Sequence, residues 1–139
     1  MSFLGKVKKK LRNGSYYPFY NTFYEKNALD PDMILLESRS GKALESNILS
    51  LLKELCKEPY RRFTLVLSVH KSVEQEIREK LHKNSITGVH FVRTGSVAYY
   101  RALSRAGYLV NDSSFPGRFV KKEGQIYLNT WHGTPLKKM

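Results

Sequence analysis

Short apolar runs and helical stripes of apolar residues alternate along most of this chain. Met33-Ile-Leu-Leu36 is a short apolar run suited to a buried strand, and Leu44, Ile48, Leu51, Leu52 and Leu55 recur at helical spacing up to Pro59. Phe63-Thr-Leu-Val-Leu-Ser-Val69 predicts the next strand. Val73, Ile77 and Leu81 mark one face of a second helix, with Glu74, Glu76 and Glu79 early and Lys80, His82 and Lys83 late, as the helix dipole favours. Val89-His-Phe-Val92 predicts a third strand, and Ser96 is placed to cap a third helix running to Arg105. Gly107 reads as the end of that helix, Tyr108-Leu-Val110 as a fourth strand and Gln125 to Asn129 as a fifth. Asp30-Pro31-Asp32 reads as a turn, and residues 111 to 124 have no helical periodicity and read as a loop.

Alternating strands and amphipathic helices predict an α/β fold, a Rossmann-like parallel sheet with helices on both faces and right-handed crossovers. With 139 residues there is room for one domain with a real core. The predicted organisation is a basic, amphipathic and aromatic N-terminal segment over 1–31 and a Rossmann-like domain over 32–139. Cys56 is the single cysteine, which excludes an internal disulfide, and its apolar helical setting predicts a small buried hydrophobe. The chain reads as cytosolic, because no run reaches the roughly 20 apolar residues needed to span a bilayer and no apolar leader follows Met1.

Charge adds a constraint that the pattern lacks. Twenty-four Lys and Arg against 12 Asp and Glu give a net charge of +12, which points to an anionic partner. Nucleic acid, an acidic membrane face and phosphate-bearing substrates all qualify. Much of the excess lies in Ser2 to Arg12, where Phe3, Leu4, Val7 and Leu11 share one helical face among five basic residues. Six aromatic residues follow between Tyr16 and Tyr24. This segment reads as a solvated tail, as a helix lying on anionic headgroups, or as a nucleic-acid contact.

The candidate chemistry sits where strands end, because ligands of open parallel sheets bind at the carboxyl ends of strands. The fifth strand runs into Trp131-His-Gly-Thr-Pro-Leu-Lys-Lys-Met139. His132 is either an ordinary surface histidine or a general base, since a neutral imidazole accepts a proton near neutral pH. Gly133 allows close approach, and Thr134 with the amides of a following helix suits a phosphate oxygen. Lys137 and Lys138 add positive charge. Ser38-Arg-Ser-Gly-Lys42 follows the first strand, a position that often cradles phosphate, which makes Ser40 and Gly41 candidates beside the plain-turn reading. Asp112 follows the fourth strand and reads as a loop-ordering or substrate-facing carboxylate. His70, His82, His90 and His132 lack zinc-like spacing, so no metal and no cofactor are expected.

Three stretches carry a family resemblance. Asn129-Thr-Trp-His-Gly-Thr-Pro-Leu-Lys-Lys138 resembles the signature of the CDP-glycerol glycerophosphotransferases, the teichoic acid polymerase family. Asn111 to Tyr127 is similar to the stretch preceding that signature, and Leu36-Glu-Ser-Arg-Ser-Gly-Lys42 to the loop after the first strand. The resemblance implies the N-terminal, acceptor-side domain of a GT-B fold, with the donor domain that binds CDP-glycerol absent. It implies that His132 deprotonates an acceptor glycerol hydroxyl, and that Gly133, Thr134, Lys137, Ser40, Gly41 and Asp112 contact substrate. The implied reaction transfers glycerol phosphate to a lipid-linked teichoic acid or capsular acceptor and releases CMP. The implied setting is peripheral, at the cytoplasmic face of a Gram-positive membrane, where an anionic surface is a further partner. On this reading a half-enzyme is inactive alone and nucleic acid is not a partner. The competing reading is a non-catalytic basic module that binds a polyanion.

Overall fold

The computed structural model describes residues 27–116 and 119–130. They form a five-stranded, all-parallel sheet: β1 (Asp30–Glu37), β2 (Thr64–Val69), β3 (Val89–Arg93), β4 (Ala106–Asn111) and β5 (Ile126–Asn129). Three helices of nine or ten residues separate them: α1 (Ser46–Leu55), α2 (Glu74–Lys83) and α3 (Val97–Arg105). The strand order is β3-β2-β1-β4-β5. The chain therefore winds outward from β1 through β2 to β3, then returns to the other side of β1. The switch point lies between β1 and β4.

Residue alternation along β1 builds two cores. Ile34 and Leu36 point to one face, where they meet Leu44, Ile48 and Leu52 around α1 and Ile77 and Leu81 of α2. Leu35 points to the other, where it meets Tyr99, Ala102 and Leu103 of α3 and Leu109 of β4. Leu35, Leu36, Ile48, Leu52, Leu103 and Leu109 are fully buried, and burial of one such side chain stabilises the fold by about 1.5–3 kcal/mol. Right-handed crossovers explain the division of helices, since motion toward β3 and motion back toward β5 place them on opposite faces.

The expected alternation of strands and helices holds, with three local corrections. Asp30-Pro31-Asp32, expected as a turn, opens β1, with the Asp32 amide donating to Asp30 Oδ1 at 3.0 Å. Proline is tolerated at the start of a strand because little of the ladder is lost there. Gly107 does not end the third helix; α3 passes directly into β4 at Ala106, and Gly107 is the second residue of that strand. An added Cβ there would lie 2.7 Å from the Asp30 carbonyl oxygen and 2.9 Å from Pro31 Cα, so the glycine permits close backbone approach to β1. Cys56 is exposed; it caps the C-terminus of α1, beyond the helix's last residue, Leu55. No helix among the described residues is long and apolar enough to cross a membrane.

Candidate functional site at the carboxyl end of the sheet

The strands deliver polar residues to one end of the sheet. Glu37, Ser68 and Asn111 end or nearly end β1, β2 and β4, and all three are buried. Glu37 is in register with Ser68 on one side and Asn111 on the other, and Asn111 with Asn129 of β5. In-register neighbours of a parallel sheet share a face, so these four side chains form a polar row on the α3 side. Tyr99, in the first turn of α3, lies over it. Ser96 caps this helix by accepting from the Tyr99 amide at 3.2 Å, which holds Tyr99 in place.

Immediately beyond this row, the switch point is closed by Asp112. Its Oδ2 accepts from Ser38 Oγ at 2.8 Å and its Oδ1 from the Arg39 amide at 2.7 Å. Asp112 and Ser38 are buried. The carboxylate thus ties the loop after β1 to the loop after β4.

The tied loop is a left-handed turn. Arg39, Ser40 and Gly41 have φ of 45°, 54° and 81°. Two consecutive non-glycine residues in this region cost roughly 1–2 kcal/mol each, and such strain persists only where the surroundings hold it. Asp112 holds one end. Gly41 holds the other, where its carbonyl accepts from the His70 amide at 2.7 Å. A Cβ on Gly41 would lie 2.1 Å from Thr94 Oγ1 and 3.0 Å from the His70 nitrogen. Thr94 is itself bonded to Ser68 Oγ at 2.7 Å. The turn is therefore wedged against the ends of β2 and β3.

On the other side of the switch point, β5 is tied to β4. The Asn111 carbonyl accepts from the Thr130 amide at 2.8 Å and from its hydroxyl at 3.3 Å. The Tyr127 hydroxyl donates to Asn111 Oδ1 at 2.8 Å, and Asn129 Nδ2 donates to the Ser113 carbonyl at 2.6 Å. Asn47, near the start of α1, reaches the Thr130 carbonyl at 3.3 Å. Thr130 is the residue from which the chain enters Trp131 and His132.

Two groups in the polar row are perturbed. Burial pushes the Glu37 carboxyl above its ordinary value of 4.5; the Tyr99 and Ser68 hydroxyls offset part of this, and the Asp112 charge adds to it. Burial, reinforced by the adjacent Glu37 carboxyl, pushes the Tyr99 phenol up. Outside the row, Arg39, Lys42, Lys71 and Arg93 stand exposed at the ends of β1, β2 and β3, with Arg39 paired to Glu45 at 3.1 Å and Arg93 to Glu74 at 4.0 Å. Among the described residues no group of three or more His, Cys, Asp or Glu side chains could hold a metal ion.

Of the expected site residues, Ser40, Gly41 and Asp112 come together at the switch point. His132, Gly133, Thr134 and Lys137 lie outside the described residues. His70 serves locally: its Nδ1 accepts from the Ser72 amide at 3.2 Å and caps the short turn Lys71–Val73. Glu37, Tyr99 and Asn111 were not anticipated. For Glu37 and Asn111 the signal in the sequence is a polar residue closing an apolar strand run, which reads equally well as the start of a loop; Tyr99 lies on a helix and carries no such signal.

The strand order, with polar groups gathered at its switch point, defines a Rossmann-like parallel α/β domain of GT-B-like fold. The chain belongs to the CDP-Glycerol:Poly(glycerophosphate) glycerophosphotransferase family, whose model matches residues 18–139. It is 28% identical over 141 residues to the teichoic acid poly(glycerol phosphate) polymerase of Bacillus subtilis (strain 168), covering 98% of this chain and 18% of that protein. It is 27% identical to the teichoic acid glycerol-phosphate transferase of Staphylococcus aureus (strain NCTC 8325 / PS 47), covering 96% of this chain and 32% of that protein. The chain thus spans less than a third of one relative and less than a fifth of the other. The solved structure of the wall teichoic acid polymerase TagF superposes with a TM-score of 0.65 at 24% identity, covering 97% of this chain and 33% of that one. A TagF variant soaked with CDPG gives the same TM-score at 23% identity.

Proposed function

We propose that this chain is the acceptor-side portion of a CDP-glycerol glycerophosphotransferase. It acts within a longer protein whose donor domain binds CDP-glycerol and closes over the carboxyl end of the sheet. The observation that carries this reading is the tie of Thr130 to Asn111, one residue from Asp112, because it starts the Trp131-His132 segment beside the switch point where ligands of such sheets bind.

In the proposed reaction, the His132 imidazole takes the proton of an acceptor glycerol hydroxyl. The freed oxygen forms a bond to the β-phosphorus of CDP-glycerol. The bond from that phosphorus to the oxygen bridging to CMP breaks, and CMP leaves with the electron pair. Such a transfer depends on positioning and charge neutralisation more than on covalent help from the protein. Ser40 and Gly41 offer backbone and hydroxyl contacts from the turn that Asp112 fixes. Gly133, Thr134 and Lys137 contribute from the segment after β5. The net charge of +12 suits a polyanionic, lipid-linked acceptor at the cytoplasmic face of the membrane.

The test is to supply the intact gene product with CDP-glycerol and a lipid-linked glycerol phosphate acceptor and to measure CMP release. His132→Ala should abolish release while leaving the thermal transition in place. Unchanged release would remove His132 from this role. Tight salt-dependent binding to DNA without any release would favour the polyanion-binding alternative.

A further inference from the structure

Glu37 has no part in the reaction as drawn, yet it is the central group of the polar row. It is 1% exposed, lies in register between Ser68 and Asn111, and directly precedes Ser38. Asn111 directly precedes Asp112. The lateral fit of Glu37 against Asn111 therefore sets the spacing of the two residues that make the 2.8 Å bond across the switch point. Glu37 Oε2 and Asn111 Nδ2 are both buried without a hydrogen-bond partner, as is the Tyr99 hydroxyl. One carboxyl oxygen, an amide donor and a hydroxyl thus lie together unpaired, and among the described residues no cation pairs with the carboxyl.

We propose that Glu37 is a positioning residue whose protonated carboxyl, held between Ser68, Tyr99 and Asn111, sets the distance from β1 to β4 and so keeps the Arg39–Gly41 turn closed. Ionising it puts an unpaired charge inside the sheet, and that charge is relieved by admitting solvent between the strand ends. Such splaying lengthens the Ser38 to Asp112 contact and releases the Arg39 amide. The titratable and charged groups facing Glu37 are Tyr99 on α3, Asp112 after β4 and, beyond Asn111, Tyr127 on β5; Arg39 is the nearest cation along the chain. The raised Glu37 pKa supports this role, since burial favours the neutral form. Its importance for transfer rests on the acceptor-site reading, but the geometric role does not.

The experiment is amide hydrogen exchange of Arg39 in the 139-residue chain across pH 5 to 8, corrected for the intrinsic pH dependence of exchange. In the unaltered chain, protection of Arg39 should fall as the pH rises above the ordinary carboxylate range. Glu37→Gln keeps the shape and a neutral donor and acceptor, and should leave Arg39 protected across the whole range. Glu37→Leu keeps the volume without polar atoms and should lose Arg39 protection at every pH while the chain stays folded. The proposal is overturned if Glu37→Gln keeps the original pH dependence, or if Glu37→Leu leaves Arg39 as protected as before. Neither result bears on whether the protein transfers glycerol phosphate.

Discussion

Replacing Asp112 with Ala tests whether the switch point is closed by this one carboxylate. The change removes the acceptor of two short hydrogen bonds, from Ser38 Oγ at 2.8 Å and from the Arg39 amide at 2.7 Å. Hydrogen bonds to a charged partner contribute about 1.5–3 kcal/mol each. Relief of the left-handed strain at Arg39, whose amide is released, returns roughly 1–2 kcal/mol, while the Gly41 end of the turn stays held. The net loss should therefore lie near 2–4 kcal/mol. With a urea m-value of about 2 kcal/mol/M, a mid-range figure for small domains, the unfolding midpoint falls by about 1–2 M. Asp112→Asn keeps an acceptor for the Arg39 amide and a polar partner for Ser38, so it should cost only about 1 kcal/mol. Urea titrations at pH 7, read by far-ultraviolet circular dichroism, measure all three chains. A loss below about 1 kcal/mol for Ala would show that the turn is held by other contacts, and equal losses for Ala and Asn would show that charge, not hydrogen-bond geometry, closes it.

Further expectations follow from single positions. Gly41→Ala combines a φ of +81° with a Cβ 2.1 Å from Thr94 Oγ1, and should cost about 2–4 kcal/mol; adding Thr94→Ala should restore part of it in the same urea titration. Tyr99→Phe removes the buried hydroxyl that lies against Glu37 while keeping the ring, so stability should change by less than about 1 kcal/mol. Because that hydroxyl draws the Glu37 pKa down, carbon-13 detection should show Glu37 titrating at higher pH in the Phe variant. A folded-state pKa above the unfolded one means that this group's contribution is complete below the unfolded value and is lost as pH rises through the folded value. Glu37→Gln should therefore flatten that part of the stability–pH curve above 4.5 in thermal melts. Leu103→Ala opens a cavity in the fully buried core under α3 and should cost about 2–5 kcal/mol in urea titration.

Much of this architecture was legible in the chain because strands buried on both faces need continuous apolar runs, and Phe63–Val69 and Met33–Leu36 supply them. What misled were residues whose local preference lost to a neighbour. Asp30-Pro31-Asp32 has turn chemistry, yet pairing of Asp30 with Ala106 draws it into the sheet. Gly107 looks like a helix end, but its lack of a side chain answers to the backbone of Asp30 and Pro31. The position of the Ser38–Lys42 turn and of Asp112 could be read from their places after apolar strands. Their mutual bond could not, because it joins residues 74 apart and depends on strand order. Nor could the left-handed backbone of Arg39 and Ser40, since only Gly41 carries the residue type that announces it. The row through Glu37 arises from register, which no single strand encodes.

No linker separates Arg105, the last residue of α3, from Ala106, the first of β4. Deleting or inserting one residue there would invert every side chain of the strand that follows. An insertion would put Val110 opposite Glu37; a deletion would put Asp112 there and turn Asn111 into the apolar layer beneath α1. Length variation in this lineage should therefore be absent from that junction, and should collect instead in the irregular stretch between β4 and β5, where an added residue changes no strand's orientation.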